Sequence, residues 1–348
     1  MGAAAPNVDV VIDGVGEVPD GDFVSYIVER DMFQPDMALI VLSNQNDIYS
    51  SKIKIGATVE VKVGSGPTSI YKGEVTGIEA IYRGGETTKI CVRAMNKMHR
   101  LLRLRKSVTF QEMTDKDIVS KVSGDAGLSV DWKHEKSITY KHVYQHNLTD
   151  LEFIRMRAAR MGCHVWCVDT KLFIKEPDFS ATSNVKLSVD EGGNLRSFTP
   201  RISSAHVVKK VSVKGWNPET KELITGTASA ASSKLGSQNA VAACGDHGKE
   251  ETFTVDHPIW SKEEADALAK ARLRDLNLTF MTGEAEIAGN PEVDLGKVIE
   301  IEANAQDGSD PYNGKYYVMG VTHRHTMPKG KDGGYATIIK FARDAQKK

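Results

Sequence analysis

The stretch Gln145–Pro177, QHNLTDLEFIRMRAARMGCHVWCVDTKLFIKEP, decides how the chain is read. Thr149 and Glu152 have the spacing of a capping box, in which each end of the pair satisfies a free backbone N–H at a helix start. Leu151, Ile154, Ala158 and Met161 recur on one helical face, and Gly162 supplies the stop. Cys163–Val168 and Lys171–Lys175 then read as two short strands, rich in β-branched and aromatic residues, joined at Asp169-Thr170 and ended by Pro177. The result is a compact helix-plus-hairpin unit.

Working outward from it, both flanks read as β. Between Pro6 and Lys106, alternating segments at Val8–Ile12, Val24–Val28, Ala38–Leu42, Val59–Val63 and Ile90–Arg93 are separated by turns at Gly14, Gly21, Gly64-Ser65-Gly66-Pro67 and Arg83-Gly84-Gly85. Strands at this spacing predict a closed barrel or sandwich. Within Tyr71–Glu79, Gly73 and Gly77 interrupt a strand pattern and predict bulges where a barrel wall bends. From Phe110 the period changes. Thr114 can cap a helix carrying Ile118, Val119, Val122 and Ala126 on one face, with Gly127 ending it before a strand at Leu128-Ser129-Val130. With the opening stretch this makes a small α+β module.

From Val185 to Phe341 the β character returns, with strands expected at 206–214, 221–225, 298–302, 316–324 and 335–341 and a hairpin turn at Gly215–Thr220. One helix interrupts them, with Ser261 and Glu264 spaced as a capping box and Ala265, Leu268, Ala269, Leu273 and Leu276 as its apolar stripe. The small-residue segment 225–248, TGTASAASSKLGSQNAVAACGDHG, is expected to be a flexible loop or extended arm. The fold class is therefore mainly β with an α+β insertion. The expected division is a first β domain at 1–108, an α+β module at 109–180 and a second β domain at 181–348, the last carrying the loop 225–248 and a helix at 261–280; the resemblance described below makes both β domains barrels.

At 348 residues, with 40% hydrophobic and 26% charged residues, the chain can bury real cores and is not a disordered sequence. A net charge of -1, from 45 basic and 46 acidic residues, gives no overall attraction to nucleic acid or an anionic membrane. No window approaches the roughly 18 apolar residues of a membrane span, and MGAAAPNVDV lacks a secretory pattern. The expectation is a protein made and kept in the cytosol, or exported only as part of a larger object. Cys91, Cys163, Cys167 and Cys244 form no CxxC pair and read as reduced structural thiols.

Four groups of residues invite chemistry. Cys163, His164 and Cys167 suggest a metal, but on a strand residues 163 and 167 stand about 13 Å apart at ~3.3 Å per residue, too far for one ion. Cys244 and His247, beside Asp246, suggest a nucleophile and its base, although neighbours in one loop rarely reach that geometry. His323 and His325 share a strand face, a spacing that can chelate but more often belongs to a polar face. The basic run Lys97–Lys106 could meet phosphates or a protein partner, but lacks interleaved aromatics for stacking on bases. No phosphate loop, GxSxG elbow or HExxH is present. The expectation is no enzyme, no catalytic residue, no cofactor and no metal.

In their order, several motifs resemble the phage late control protein D group, which includes baseplate hubs of contractile tails and the hub part of VgrG spike proteins. They are Tyr71–Glu79, Val92-Arg93-Ala94, Phe110 with Thr114–Val119, Gln145–Phe153, Leu295–Ile301, Gly314–Val318 with His323, and Gly334–Thr337. The family-motif positions carried over are Gly73, Gly77, Asp150, Phe153, Gly296, Gly314, Tyr316 and His323, all in structural roles. The resemblance implies two tube-like β-barrels per chain and a homotrimer, whose six barrels offer a pseudo-sixfold face to a hexameric tail tube and a threefold face to a trimeric spike. Other baseplate proteins are implied partners; a membrane or a specific nucleic acid is not. VgrG proteins continue into a spike, so the resemblance implies a spike on a separate chain. A lysozyme domain of the kind some spike proteins carry is not expected either. Gln145–Pro177 is expected outside the channel, bracing neighbours. The alternatives are a cell-wall hydrolase using Cys244 and His247, and a peptidoglycan-binding module centred on 110–177.

Overall fold

The computed structural model describes residues 8–64, 66–134, 138–180, 182–189, 193–255, 258–329 and 332–347; Ser65 of the Gly64–Pro67 turn and residue 181, at the expected boundary, lie outside them. The first β region supplies β1 (Val8–Ile12), β2 (Gly16–Glu17), β3 (Phe23–Asp31), β4 (Met37–Ser43), β5 (Thr58–Val63), β6 (Thr68–Ile81) and β7 (Lys89–Met95). Along β4 and β5 every second residue is buried, as the period of two in a half-buried strand requires. The pairing of β6 with β7 shifts register between Val75 and Gly77, the bulge that the paired glycines predict.

The insertion follows as β8 (Arg105–Thr114), α1 (Asp115–Asp125), β9 (Ser129–Lys133), β10 (Thr139–Thr149), α2 (Asp150–Arg160), β11 (His164–Val168) and β12 (Lys171–Lys175). Both helices begin with a full capping box, Thr114 with Asp117 and Thr149 with Glu152. Both end alike. Gly127 and Gly162 take positive φ of 76° and 67°, and the N–H groups of Leu128 and Cys163 reach back to Ser123 O and Ala158 O at 3.0 and 2.9 Å. A buried core from Met98 and Leu101 through Phe110, Ile118, Phe153 and Ile154 to Ile174 holds these elements together.

The remaining elements are β13 (Thr182–Ser188), β14 (Leu195–Ile202), β15 (Val208–Asn217), β16 (Glu222–Ser229), β17 (Gln238–Asn239), α3 (Ala240–Cys244), β18 (Lys249–Thr254), α4 (Lys262–Leu278), β19 (Met281–Ala288), β20 (Val298–Glu302), β21 (Gly314–Lys329), β22 (Asp332–Arg343) and β23 (Ala345–Gln346). They sort into two layers. β13, β14 and β19–β22 surround a large apolar core, while β16-β15-β18 form a separate three-stranded sheet covered by α4, with Val211, Val213, Ala265 and Ala269 between them.

Three expectations are corrected here. The first β region is not closed by its own strands: β3 pairs β4 on one edge and β21 on the other, so one 13-stranded sheet runs through both β regions. The long β21–β22 hairpin serves both cores, with Tyr316, Val321 and Phe341 in one and Tyr335 in the other. Second, 225–248 is not a free loop. Its first residues lie in β16, whose Gly226 sits so close to α4 that a Cβ would run into the Ala265 backbone, and Leu235 and Ala240 are buried. Small residues there allow close packing. Third, the capping box at α4 is only half formed. Glu264 N–H donates to Ser261 Oγ at 3.1 Å, but the Glu264 carboxylate accepts from Trp260 N–H and from Arg160 instead.

Candidate functional site

The turn between β3 and β4, Met32–Asp36, is where the three units meet. Met32 N–H donates to Met319 O in the second β region at 3.0 Å, and Phe33 N–H to Val165 O in the insertion at 2.8 Å. Phe33 does so at φ 70°, a left-handed conformation that is costly for a bulky side chain. Asn96 N–H donates to Asp36 O, and the Asn96 side chain to Cys167 O at 3.2 Å. Arg30 fills the space beneath, bridging Asp36 at 3.2 Å and Asp294 at 2.9 Å. Burial pushes the Asp36 carboxyl up to about 7, against the pull of Arg30.

A cleft of about 470 Å³ opens beside this turn, walled by Phe33, by Arg155, Met156 and Ala159 of α2, and by His164 and Asp275. His164 is buried, its Nδ1 3.2 Å from the Tyr317 hydroxyl and its Nε2 3.6 Å from Asp275. Burial lowers its basicity, with Asp275 opposing. The Phe33 ring meets the His164 ring edge-on at 5.0 Å and carries the Arg155 guanidinium at 5.7 Å. Nothing in this set is an activated nucleophile: burial pushes the neighbouring Cys163 thiol up to about 12.

The residues singled out from sequence fall in four places. Cys163 and Cys167 are buried in the insertion core, while His164 takes the opposite strand face into the cleft; no group of three or more potential ligands is placed to hold a metal among the described residues. Cys244, at the end of α3, packs against the second core, and burial raises its thiol rather than activating it. The Asp246 side chain lies outside the described residues. His323 and His325 share a face as expected, but that face is not polar: it is the core of the first β region. His323 Nδ1 meets the Tyr335 hydroxyl at 2.8 Å, and the His325 ring stacks on Phe23 and Tyr26 at 5.4 and 5.8 Å. Burial lowers His323 to about 3.

The basic run Lys97–Lys106 is no free cationic patch. Its first six residues form a 3-10 turn burying Met98, His99 and Leu101. His99 and Arg100 both reach Glu74, Arg105 pairs with Glu152, and Lys106 pairs with Asp150 at 2.6 Å. Burial acts to raise the Glu74 carboxyl, yet the hydrogen bonds from Arg100 and His99 hold it below the usual carboxylate range. With Arg100, Arg105 and Lys106 paired locally, the run staples the first β region to the insertion.

Each family-motif position has a visible load. Gly73 leaves no room for a Cβ against Tyr71 and Met95, and Gly77 sits at the bulge. Asp150, buried at the start of α2, accepts from Lys106 and from Gln145 at 3.1 Å; Phe153 stacks on Phe110 at 5.6 Å. Gly296 and Gly314 hold positive φ of 71° and 135°, the latter 2.6 Å from an Arg343 nitrogen if it carried a Cβ. Tyr316 donates to Tyr312 O at 2.5 Å beneath the Arg343 guanidinium, and His323 is described above. The sequence reading missed Phe33, Arg30, Arg155, Asp275 and the Arg160–Glu264 pair. Phe33-Gln34-Pro35-Asp36 carried a turn signal, but nothing in it revealed three units converging.

This architecture is that of phage tail proteins. A tail protein from Neisseria meningitidis superimposes with a TM-score of 0.73 at 14% identity, covering 98% of this chain and 97% of that one. The 43 kDa tail protein of prophage MuSo2 from Shewanella oneidensis gives 0.73 at 15% identity, covering 98% and 100%. An E. coli component of the type VI secretion system, described as similar to bacteriophage T4 tail proteins, gives 0.60 at 13% identity, covering 95% and 76%. By sequence, the model of the Alg8 N-terminal domain family matches residues 41–326, and the chain belongs to that family. No curated protein matches it in a sequence search.

Proposed function

We propose that the chain is the structural hub of a contractile tail or injection particle, a homotrimer that adapts a hexameric tail tube to a trimeric spike. The observation that carries this reading is the end-to-end match to tail proteins, 97% and 100% of whose chains are covered, so that both β regions and the insertion correspond together. In this reading 1–108 and 181–348 act as two tube-like barrels, three copies make six, and their long strands wall a channel. The two regions share one hydrogen-bonded sheet, which would fix their relative orientation. The insertion, 109–180, lies outside the channel and braces neighbouring subunits or baseplate proteins. Gly73, Gly77, Asp150, Phe153, Gly296, Gly314, Tyr316 and His323 serve the fold, not a reaction. The protein works by binding, with no cofactor, and is built in the bacterial cytoplasm into its particle. Two-dimensional averages of the chain mixed with its tube and spike proteins test the reading. Threefold rings are expected; a persistent monomer in the presence of both partners sinks it.

A further inference from the structure

We propose that the cleft beside α2 is a docking site for a segment of a partner protein that presents an apolar side chain next to a carboxylate. The site rests on the reading that this chain works by holding other particle proteins.

Geometry and charge single out that chemistry. The cleft, about 470 Å³, falls within the range of pockets that enclose a small ligand or a few side chains. Its walls are apolar where the Phe33 ring and Met156 face it, and Met156, a soft and adaptable side chain, is 41% exposed. Its two carboxylates are already engaged: Glu152 accepts from Thr149 N–H and pairs with Arg105, and Asp275 pairs with Arg274 at 2.7 Å and faces His164. Arg155 differs. It is exposed, and among the described residues its one partner is the Phe33 ring at 5.7 Å, with no ion pair to a carboxylate. A guanidinium placed over an aromatic ring keeps N–H groups free for a carboxylate, and the ring limits the side-chain freedom that binding must remove. The cleft therefore holds one cation, Arg155, without a carboxylate partner, and offers an apolar hollow beside it. Phe33 is held there by its hydrogen bond to Val165 O at positive φ, so the aromatic wall is preformed.

The smallest probe carrying both determinants is N-acetyl-L-phenylalanine; its amide, N-acetyl-L-phenylalaninamide, lacks only the charge. With methionine methyl groups isotope-labelled in the full chain and the Met156 signal assigned through Met156→Leu, titration with the acid should move the Met156 resonance saturably while distant methionines stay still. The amide should bind about threefold to tenfold more weakly. Arg155→Gln, an exposed substitution that leaves the core untouched, should reduce binding of the acid to the level of the amide, and Arg155→Lys should retain part of the difference. Equal affinity for acid and amide would overturn the proposal in favour of a merely apolar hollow. Absence of a saturable Met156 shift overturns it outright. Neither result bears on ring formation, which tests the hub reading by itself.

Discussion

Arg160 of α2 and Glu264 of α4 lie 2.8 Å apart across the seam between the insertion and the second β region, each side chain less than a tenth exposed. The same guanidinium donates to Pro258 O, and the same carboxylate accepts from Trp260 N–H. Half of a capping box was therefore diverted to tie two units together. Removing one partner strands the other in a dry seam, which typically costs about 3 to 5 kcal/mol. Glu264→Ala should approach the lower bound, since Arg160 keeps Pro258 O. Denaturant unfolding of Arg160→Met, Glu264→Leu and the double variant checks this: the double variant should be clearly more stable than the sum of the singles predicts.

Gly226 makes a second seam testable. Its Cβ position is occupied by the Ala265 backbone, which cannot swing aside as a flexible side chain could. Gly226→Ala should therefore destabilise by about 1 to 3 kcal/mol through overpacking of α4 on β16. Gly21→Ala, with nothing within 4 Å, is the control and should stay within about 0.5 kcal/mol of the parent. Thermal unfolding of the two variants side by side separates a steric role from a general effect of glycine on the unfolded chain.

Acid should loosen the joint between the β regions, because His323 lies on β21 opposite Val28 of β3. Burial, with a smaller push from Arg30, holds its folded value at about 3, whereas an unfolded chain protonates near ~6.5. Between those limits only the unfolded state takes the proton, so this contribution to stability is lost as pH falls from about 6.5 toward about 3 and is flat above 6.5. The slope for one proton is about 1.4 kcal/mol per pH unit. Asp36 acts in the opposite sense: its folded value of about 7 lies above the unfolded ~3.9, so the fold gains as pH falls through that window. The informative quantity is thus the difference between parent and His323→Asn. The variant's stability should fall less steeply between pH 6.5 and 4; parallel curves would remove His323 from the account.

In the insertion both helices, their Thr caps and glycine stops, and the hairpin of β11 and β12 were legible, since these are local signals within a few positions, whereas the long pair β8 and β10 was not. Strands β14 and β19 were not. Pro200 and the polar Arg196, Ser197 and Thr199 in one, and Glu284 and Glu286 in the other, dilute the alternation that marks a strand. The misreading of 225–248 has a different cause: small residues mean either freedom or close approach, and only the position of α4 decides. The joining of the two β regions through β3 and β21 was beyond reach, because the paired residues lie about three hundred positions apart and both strands read as complete without the partner. The cleft shares that fate, its walls coming from 33, 155–164 and 275.

Phe33 offers the sharpest test of how the three units are held. At φ 70° an L-residue pays a backbone cost of roughly 1 to 2 kcal/mol that glycine does not. The ring repays it through contacts with His164 and both adjoining cores. Truncation separates the two contributions. Phe33→Ala loses the ring and keeps the strained backbone; Phe33→Gly loses the ring and relaxes it. At an ordinary site glycine is the less stable of the two by about 0.5 to 1 kcal/mol. Here the order should invert, with Phe33→Gly the more stable, while both lie below the parent by about 2 to 4 kcal/mol for the lost aromatic packing. Chemical denaturation of the three proteins decides it. Alanine more stable than glycine at position 33 would mean that the turn relaxes to negative φ once the ring is gone, and that the ring, held against His164, is what bends it.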